Sequence, residues 1–360
     1  MHLDTEQFVF HLLTRSGRVG YDELRVKDPA LIDRVDAWFA RSNRVAPPPA
    51  FAPPEVRGLV LPNRIVASAP ADDSATDGVP GATTVPVEGA ALVVFGDVAV
   101  TPGGRATPGG PAIYEDAQVA AWAKAVERCE AAAVRLAHAG RRAATRPRHH
   151  GVDRPLATGG WELLAPSAIA HGSNVVPREM TRTDMDEVRA AFVAAARRAA
   201  RAGFDVLGVD VARGYLLASF LSPLSNRRDD DYGGAIEARA RWPLEVVAAV
   251  REEWARPLLV SLTATEGVAG GISFEDVLWV AAALRRVGCD LLEVTAGGAP
   301  DAVVPYDPYT LPSYADRIRN ESGIPVLIGG AISTVGRVNT LVASGRADLC
   351  AVMPPRGRAS

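Results

Sequence analysis

The sequence predicts a (β/α)8 barrel with an N-terminal helical arm, and three observations predict it. Eight short apolar runs recur from residue 64 to residue 353, most of them continuous rather than alternating, as in parallel strands buried on both faces. Amphipathic helical patterns follow many of those runs, the βα order of a closed barrel rather than of a hairpin sheet. The chain has 360 residues, 48% hydrophobic and 22% charged, with a formal net charge of -3, which is enough apolar material for one large core.

The elements follow in order. Residues 1–45 read as an arm: Asp4 and Thr5 are candidate N-caps before EQFVFHLLTR, and Asp28-Pro29 opens a helix running to about Ala40. Residues 46–56 form a proline-rich connector, because APPPAFAPP can build neither a helix interior nor a central strand. The barrel occupies residues 57–360. Its strands are expected at 64–69, 91–96, 132–138, 205–212, 258–264, 290–296, 325–330 and 348–353. Its helices are expected at 115–130, 183–202, 235–254, 274–287, 312–321 and 333–344, with Thr183 and Ser273 as N-caps.

Composition excludes several function classes. The low net charge provides no general field for nucleic acid. All 39 basic residues are arginine except Lys27 and Lys124, which reads as a compositional habit and not a binding signal. Cys129, Cys289 and Cys350 are odd in number and lack CxxC spacing, so neither a disulfide framework nor a zinc site is expected. No secretory signal and no apolar span of membrane length is visible, so a cytoplasmic protein is expected.

A barrel places its site before any residue is chosen, since active sites of this fold lie at the C-terminal strand ends. The longest βα loop runs from Gly140 to Arg182 and contains His149-His150. No third ligand accompanies these histidines, so no metal is expected.

Along GFDVLGVDVARGYLLASFLSPLSNRRDDDYGGAIEARARWPLEVVAAVR (203–250), the chain resembles the Old Yellow Enzyme family of FMN-dependent barrel oxidoreductases. LPNRIVASA, SATDG, GGRATPG, LAHAGR, PREMT and ADRIRNESG resemble family segments in the same order, over about residues 50–355. Within the family the chain looks most like the reductase-like C-terminal half of bacterial salicylyl-CoA and anthraniloyl-CoA monooxygenases. Its arm resembles the segment that joins the halves of those proteins, as though the second half had been set free. The resemblance implies FMN at the strand ends and hydride transfer from NAD(P)H to an activated alkene.

Several positions depart from the family pattern. Asp210 and Arg213 stand where the resemblance implies a His-x-x-His or His-x-x-Asn pair. Arg135 stands for a flavin-binding Gln, and Ser261 for an Arg facing the flavin. Ala69-Pro70-Ala71 ends the first strand, and Met353-Pro354 replaces a phosphate-binding Gly-Arg pair. Losing several charged hydrogen bonds, each worth roughly 1.5–3 kcal/mol, predicts weak FMN binding. The expectation is therefore a flavin-independent enzyme without a cofactor, an isomerase, lyase or cyclase acting on a small carbonyl-containing, aromatic or polyketide-like substrate.

In that reading Asp210 or His138 is the base, and Arg135 and Arg213 stabilise an anion. Asp72, Asp73, Arg142 and Tyr306 contact substrate, and Gly329 and Gly330 serve a phosphate if one binds. The alternatives are an FMN-dependent NAD(P)H oxidoreductase with a rebuilt site, and a non-catalytic partner of a separate flavin monooxygenase. The expected partners are a small molecule, CoA thioesters included, and a second copy of the chain, with no nucleic acid and no membrane. Each residue also has a plainer reading: Asp210–Arg213 as an ion pair filling space, His138 as structural, and Asp72 and Asp73 as turn caps.

Overall fold

A computed structural model describes residues 5–40, 48–69, 73–76, 78–79, 89–147, 150–151, 153–300, 310–330 and 332–352. Eight parallel strands close into a barrel: β1 (Ile65–Ala69), β2 (Leu92–Ala99), β3 (Ala132–Ala137), β4 (Val206–Val211), β5 (Leu258–Thr263), β6 (Leu291–Thr295), β7 (Val326–Ile328) and β8 (Leu349–Ala351). Each strand pairs with its sequence neighbours, and β8 pairs with β1 through Cys350 beside Ile65 and Ala351 beside Val66.

The helices are α1 (Thr5–Thr14), α2 (Tyr21–Lys27), α3 (Pro29–Ala40), α4 (Val119–Val126), α5 (Arg182–Arg201), α6 (Leu216–Leu221), α7 (Ile236–Arg239), α8 (Arg241–Glu253), α9 (Phe274–Arg286), α10 (Thr310–Ser322) and α11 (Val335–Ala343). The helix expected over 235–254 is interrupted at Ala240, between α7 and α8. The cap of α5 is Thr181 rather than Thr183: its hydroxyl accepts from the Asp184 N–H, and Asp184 returns the bond to the Thr181 N–H. Ser273 caps α9 through the Asp276 N–H.

Strand periodicity sorts the core into two shells. Val134, Leu136, Leu207, Val209, Val260, Leu262, Leu292 and Val294 face the helices. Leu92, Val94, Ala133, Val206, Leu259, Leu291, Leu327 and Leu349 fill the barrel interior. The alternation is the period of two that strand geometry imposes.

The arm is docked onto the barrel's last helix. Phe10 and Thr14 of α1 are buried, and Gln7 Nε2 donates to the Val342 carbonyl at 3.5 Å. The Tyr21 N–H donates to Thr340 Oγ1 at 2.9 Å. The proline-rich connector contains a 3-10 turn, Pro49–Phe51, whose Ala50 N–H donates to Asn339 Oδ1 at 2.8 Å. Among the described residues no helix is long and apolar enough to cross a membrane, and the three cysteines are free thiols.

Candidate functional site

The inward-facing residues change character along each strand. On β3 they run Ala133 then Arg135; on β4, Val206, Gly208, Asp210; on β5, Leu259, Ser261, Thr263; on β6, Leu291, Glu293, Thr295. The N-terminal half of the barrel is thus plugged with hydrocarbon, while the C-terminal half carries hydrogen-bonding groups. β2 adds Asp97 through a register shift between Phe95 and Val98. Bulges of this kind re-aim a side chain.

Five charged residues meet there. Arg135 Nε donates to Asp97 Oδ1 at 2.7 Å, and its Nη1 donates to both oxygens of Glu293, at 3.0 and 2.9 Å. Ser261 Oγ donates to Glu293 in turn. Arg213 Nη2 lies 3.3 Å from Asp97 Oδ1 and 3.1 Å from Asp210 Oδ1, and its Nη1 is 3.8 Å from Glu293. Asp210 Oδ1 also accepts from the Ala212 N–H at 2.9 Å. Asp210 Oδ2 and Arg213 Nε are buried without a hydrogen-bond partner among the described residues.

Local backbone conformation aims Arg213 into the mouth. Its φ is +58°, left-handed for a residue with a Cβ, and Gly214 follows at +69°. A Cβ on Gly214 would stand 2.1 Å from the Gly298 carbonyl oxygen, so only glycine fits. The Arg213 N–H donates to Thr263 Oγ1 at 2.9 Å, and its carbonyl accepts from Arg142. Gly96 keeps β2 clear for the guanidinium of Arg135, since a Cβ there would meet Nη2 at 2.6 Å.

The cluster sets its own protonation. Burial pushes the Asp210 carboxyl up to about 7 against the pull of Arg213 and Arg135, with Asp97 and Glu293 adding to the rise. Burial also opposes ionisation of Glu293, but Arg135, Arg213 and the Ser261 hydroxyl outweigh it and hold that carboxyl below its ordinary value. Burial works against the charge on Arg213 too, yet the three carboxylates raise its pKa. Arg213 is the most open member, its side chain 21% exposed, whereas that of Asp210 is fully buried.

Of the other residues singled out in the sequence, Arg142 touches this cluster through the Arg213 carbonyl. His138 is buried, and its Nδ1 accepts from the Gly140 N–H at 3.1 Å. Burial lowers its pKa to about 4, so it stands neutral where β3 turns into its loop. Arg142 is committed to Asp153 at 2.7 Å, stacks over Tyr215 with 5.5 Å to the ring centroid, and holds the Arg213 carbonyl. It braces the long loop against the mouth. Asp73 accepts from the Thr107 hydroxyl at 2.5 Å. Gly329 and Gly330 follow β7, and nothing approaches within 4 Å of a Cβ built on Gly330. Asp72, Tyr306, His149 and Met353-Pro354 lie outside the described residues. Among the described residues no cluster of three His, Cys, Asp or Glu could hold a metal.

Two members of the cluster, Asp97 and Glu293, were not singled out in the sequence. Each is a lone carboxylate in an apolar run, FGDVA and LLEVT. The signal was there for Glu293: it stands one alternation beyond inward Leu291, level with Ser261 on the neighbouring strand. Beside the cluster, Val211, Gly214, Ala218, Leu221, Thr263 and Glu266 line a small cleft.

Comparison with known proteins connects this mouth to a chemistry. The sequence pattern of the NADH:flavin oxidoreductase / NADH oxidase family matches residues 50–356. An NADPH dehydrogenase of Geobacillus thermodenitrificans is 35% identical over 314 residues, covering 83% of this chain and 88% of that protein. The NADPH dehydrogenase of Halalkalibacterium halodurans is 35% identical over 263 residues, covering 72% of this chain and 73% of that protein. Among solved structures, a morphinone reductase in complex with tetrahydroNAD superposes with a TM-score of 0.68 at 28% identity, covering 85% of this chain and 86% of the other. A 2-naphthoyl-CoA reductase shares the fold with a TM-score of 0.73 at 23% identity, covering 84% of this chain and 50% of that longer one.

These findings overturn three expectations: the flavin-independent acid/base reaction, the isomerase, lyase or cyclase assignment, and the absence of a cofactor. The family and its NADPH dehydrogenase members point to an NAD(P)H:FMN oxidoreductase instead. The physical reason is that the substituted residues act together and not singly. Asp210 does not project a fixed negative charge into the mouth, because Arg213 pairs with it and burial drives it towards its neutral form.

Proposed function

Since this chain belongs to the NADH:flavin oxidoreductase / NADH oxidase family, we propose that it is an FMN-dependent oxidoreductase that uses NAD(P)H to reduce an alkene conjugated to a carbonyl group. The observation that carries the reading is identity of 35% to an NADPH dehydrogenase across 83% of the chain.

The residues present fit such a cofactor in two respects. The backbone at Gly330 has open space where a Cβ would stand, whereas a Cβ on Gly329 would meet the Ala351 Cβ at 3.2 Å, so it is at Gly330 that an N–H group can meet a phosphate at the end of β7. The mouth holds an unpartnered Arg213 Nε and two guanidinium groups, donors suited to the polar edge of a flavin ring. The cation that the family resemblance places on β5 is absent at Ser261. Ser261 instead steadies Glu293, and Glu293 holds Arg135, so a cation stands on β3. FMN, when bound, supplies the hydride relay. The chain's own residues do the rest: Arg213 orients the acceptor's oxygen, Asp210 holds a proton behind it, and Arg142 keeps the loop closed over Tyr215.

A relation to the reductase-like half of salicylyl-CoA and anthraniloyl-CoA monooxygenases belongs to the same proposal, and places aryl and enoyl CoA thioesters among the acceptors. The test is the visible spectrum of the purified chain, an FMN titration, and anaerobic NADPH oxidation with cyclohexenone. Flavin bands, saturable FMN uptake and enone-dependent NADPH consumption are expected. A protein that ignores excess FMN would sink the reading.

A further inference from the structure

The charged mouth has an odd count. Two guanidinium groups, Arg135 and Arg213, face three carboxyl groups, Asp97, Asp210 and Glu293. Glu293 is satisfied by Arg135 and Ser261, and Asp97 is shared by both arginines. Asp210 keeps one oxygen, Oδ2, buried with no donor among the described residues. A buried carboxylate oxygen without a donor is costly, and protonation removes most of that cost. Among the described residues, the polar and charged groups facing Asp210 are Asp97 on β2, Arg135 on β3, Arg213 and Tyr215 beyond β4, Ser261 and Thr263 on β5, and Glu293 on β6. Arg213 is the most open of these side chains, at 21% against 17% for Asp97 and 16% for Glu293, and it is the cation that a ligand anion meets.

We propose that this mouth binds anions only together with a proton: a neutral carbonyl compound enters with no proton exchange, whereas a carboxylate or other oxyanion seated on Arg213 requires Asp210 to take up one proton at Oδ2. The ligand class admitted at neutral and alkaline pH is then the uncharged ketone, aldehyde, ester or thioester, and free acids are discriminated against. The proton balance is simple: one ligand anion and one proton enter, the cluster's net charge is unchanged, and the proton comes from solvent. Burial, which raises Asp210 to about 7, places the switch near neutrality. The inference rests on the function proposed above only in taking the mouth as the place where substrate binds.

Isothermal titration calorimetry in buffers of different ionisation enthalpy tests it, with cyclohexenecarboxylate and cyclohexenone as probes and the full chain as purified, before and after FMN addition. At pH 8 the carboxylate should bind with uptake of close to one proton, and its affinity should fall about tenfold per pH unit above neutrality. Cyclohexenone should bind with no uptake and no pH dependence. Asp210→Asn should abolish the uptake and flatten the carboxylate profile. Asp97→Asn, which evens the count while leaving Asp210 in place, should bring carboxylate affinity at pH 8 to the wild-type level near pH 6. Carboxylate binding without proton uptake would overturn the proposal, as would failure of either probe to bind. A chain that takes no FMN yet shows the proton count would sink the flavin reading alone.

Discussion

Glu293 accepts two hydrogen bonds from one nitrogen of Arg135, at 3.0 and 2.9 Å, and this contact ties β6 to β3 across the barrel interior. Both side chains are largely buried, at 16% and 8% exposure. Removing one partner therefore strands a buried charge. Glu293→Ala should destabilise the chain by about 3–5 kcal/mol. In urea unfolding, the double replacement of Glu293 and Arg135 by alanine should cost clearly less than the two single losses combined.

Asp210 and His138 impose opposite pH dependence on stability. The native Asp210 carboxyl, at about 7, holds its proton more tightly than an unfolded aspartate with a pKa of about 3.9. Its contribution is complete below about 3.9 and is lost as pH rises through about 7. His138, lowered to about 4, behaves the other way: its contribution is complete above about 6.5 and is lost as pH falls towards about 4. Melting curves from pH 4 to pH 8 should show Asp210→Asn flattening the alkaline decline and His138→Gln flattening the acid one. A single variant that altered both limbs would contradict this assignment.

Two glycines with nearly the same backbone angle should respond very differently to alanine. Gly214 has a φ of +69° and a carbonyl oxygen 2.1 Å from the added Cβ, whereas Gly330 has a φ of +76° and empty space. Gly330→Ala should cost about 1 kcal/mol, the penalty of the left-handed conformation alone. Gly214→Ala should cost several times that and misplace Arg213, visible as lost binding of cyclohexenone in the same calorimeter.

Thr181 begins the longest helix with a reciprocal pair of hydrogen bonds to Asp184. Thr181→Ala should lower stability by about 1 kcal/mol, whereas Thr183→Ala, inside the first turn, should lower it by less. Thermal melts of the two variants side by side decide between the caps.

How much of this could be read from the sequence depended on the range of the interaction. Strands such as Leu258–Thr263 announce themselves as apolar runs, because a parallel strand is dry on both faces. Arg135, Asp210 and Arg213 stood out as charges at strand ends, and the structure places the three together. Asp97 and Glu293 did not, since what recruits them is a bulge in β2 and a neighbour on another strand, both properties of pairing register. His138 looked like a functional histidine, but a contact two residues along the chain already uses its Nδ1. Ala240 divides α7 from α8 because Pro243 has no N–H to donate to the Arg239 carbonyl, a break that the helical pattern over 235–254 runs through.

The docking of the arm on α11 has a kinetic consequence. Its bonds join residues 335, 319 and 289 positions apart in the chain, from Gln7, Tyr21 and Ala50 to the last helix. Contacts of such separation form slowly and late. During synthesis the arm is made before α11, and it has no surface to rest on until α11 has been made. Phe10 and Tyr21 must therefore wait in solvent or in provisional contacts until that helix has formed. Completion of the seam between β8 and β1 and seating of the arm are consequently one coupled late event in the folding of the barrel, and the time a nascent chain spends before it leaves these apolar surfaces exposed to aggregation.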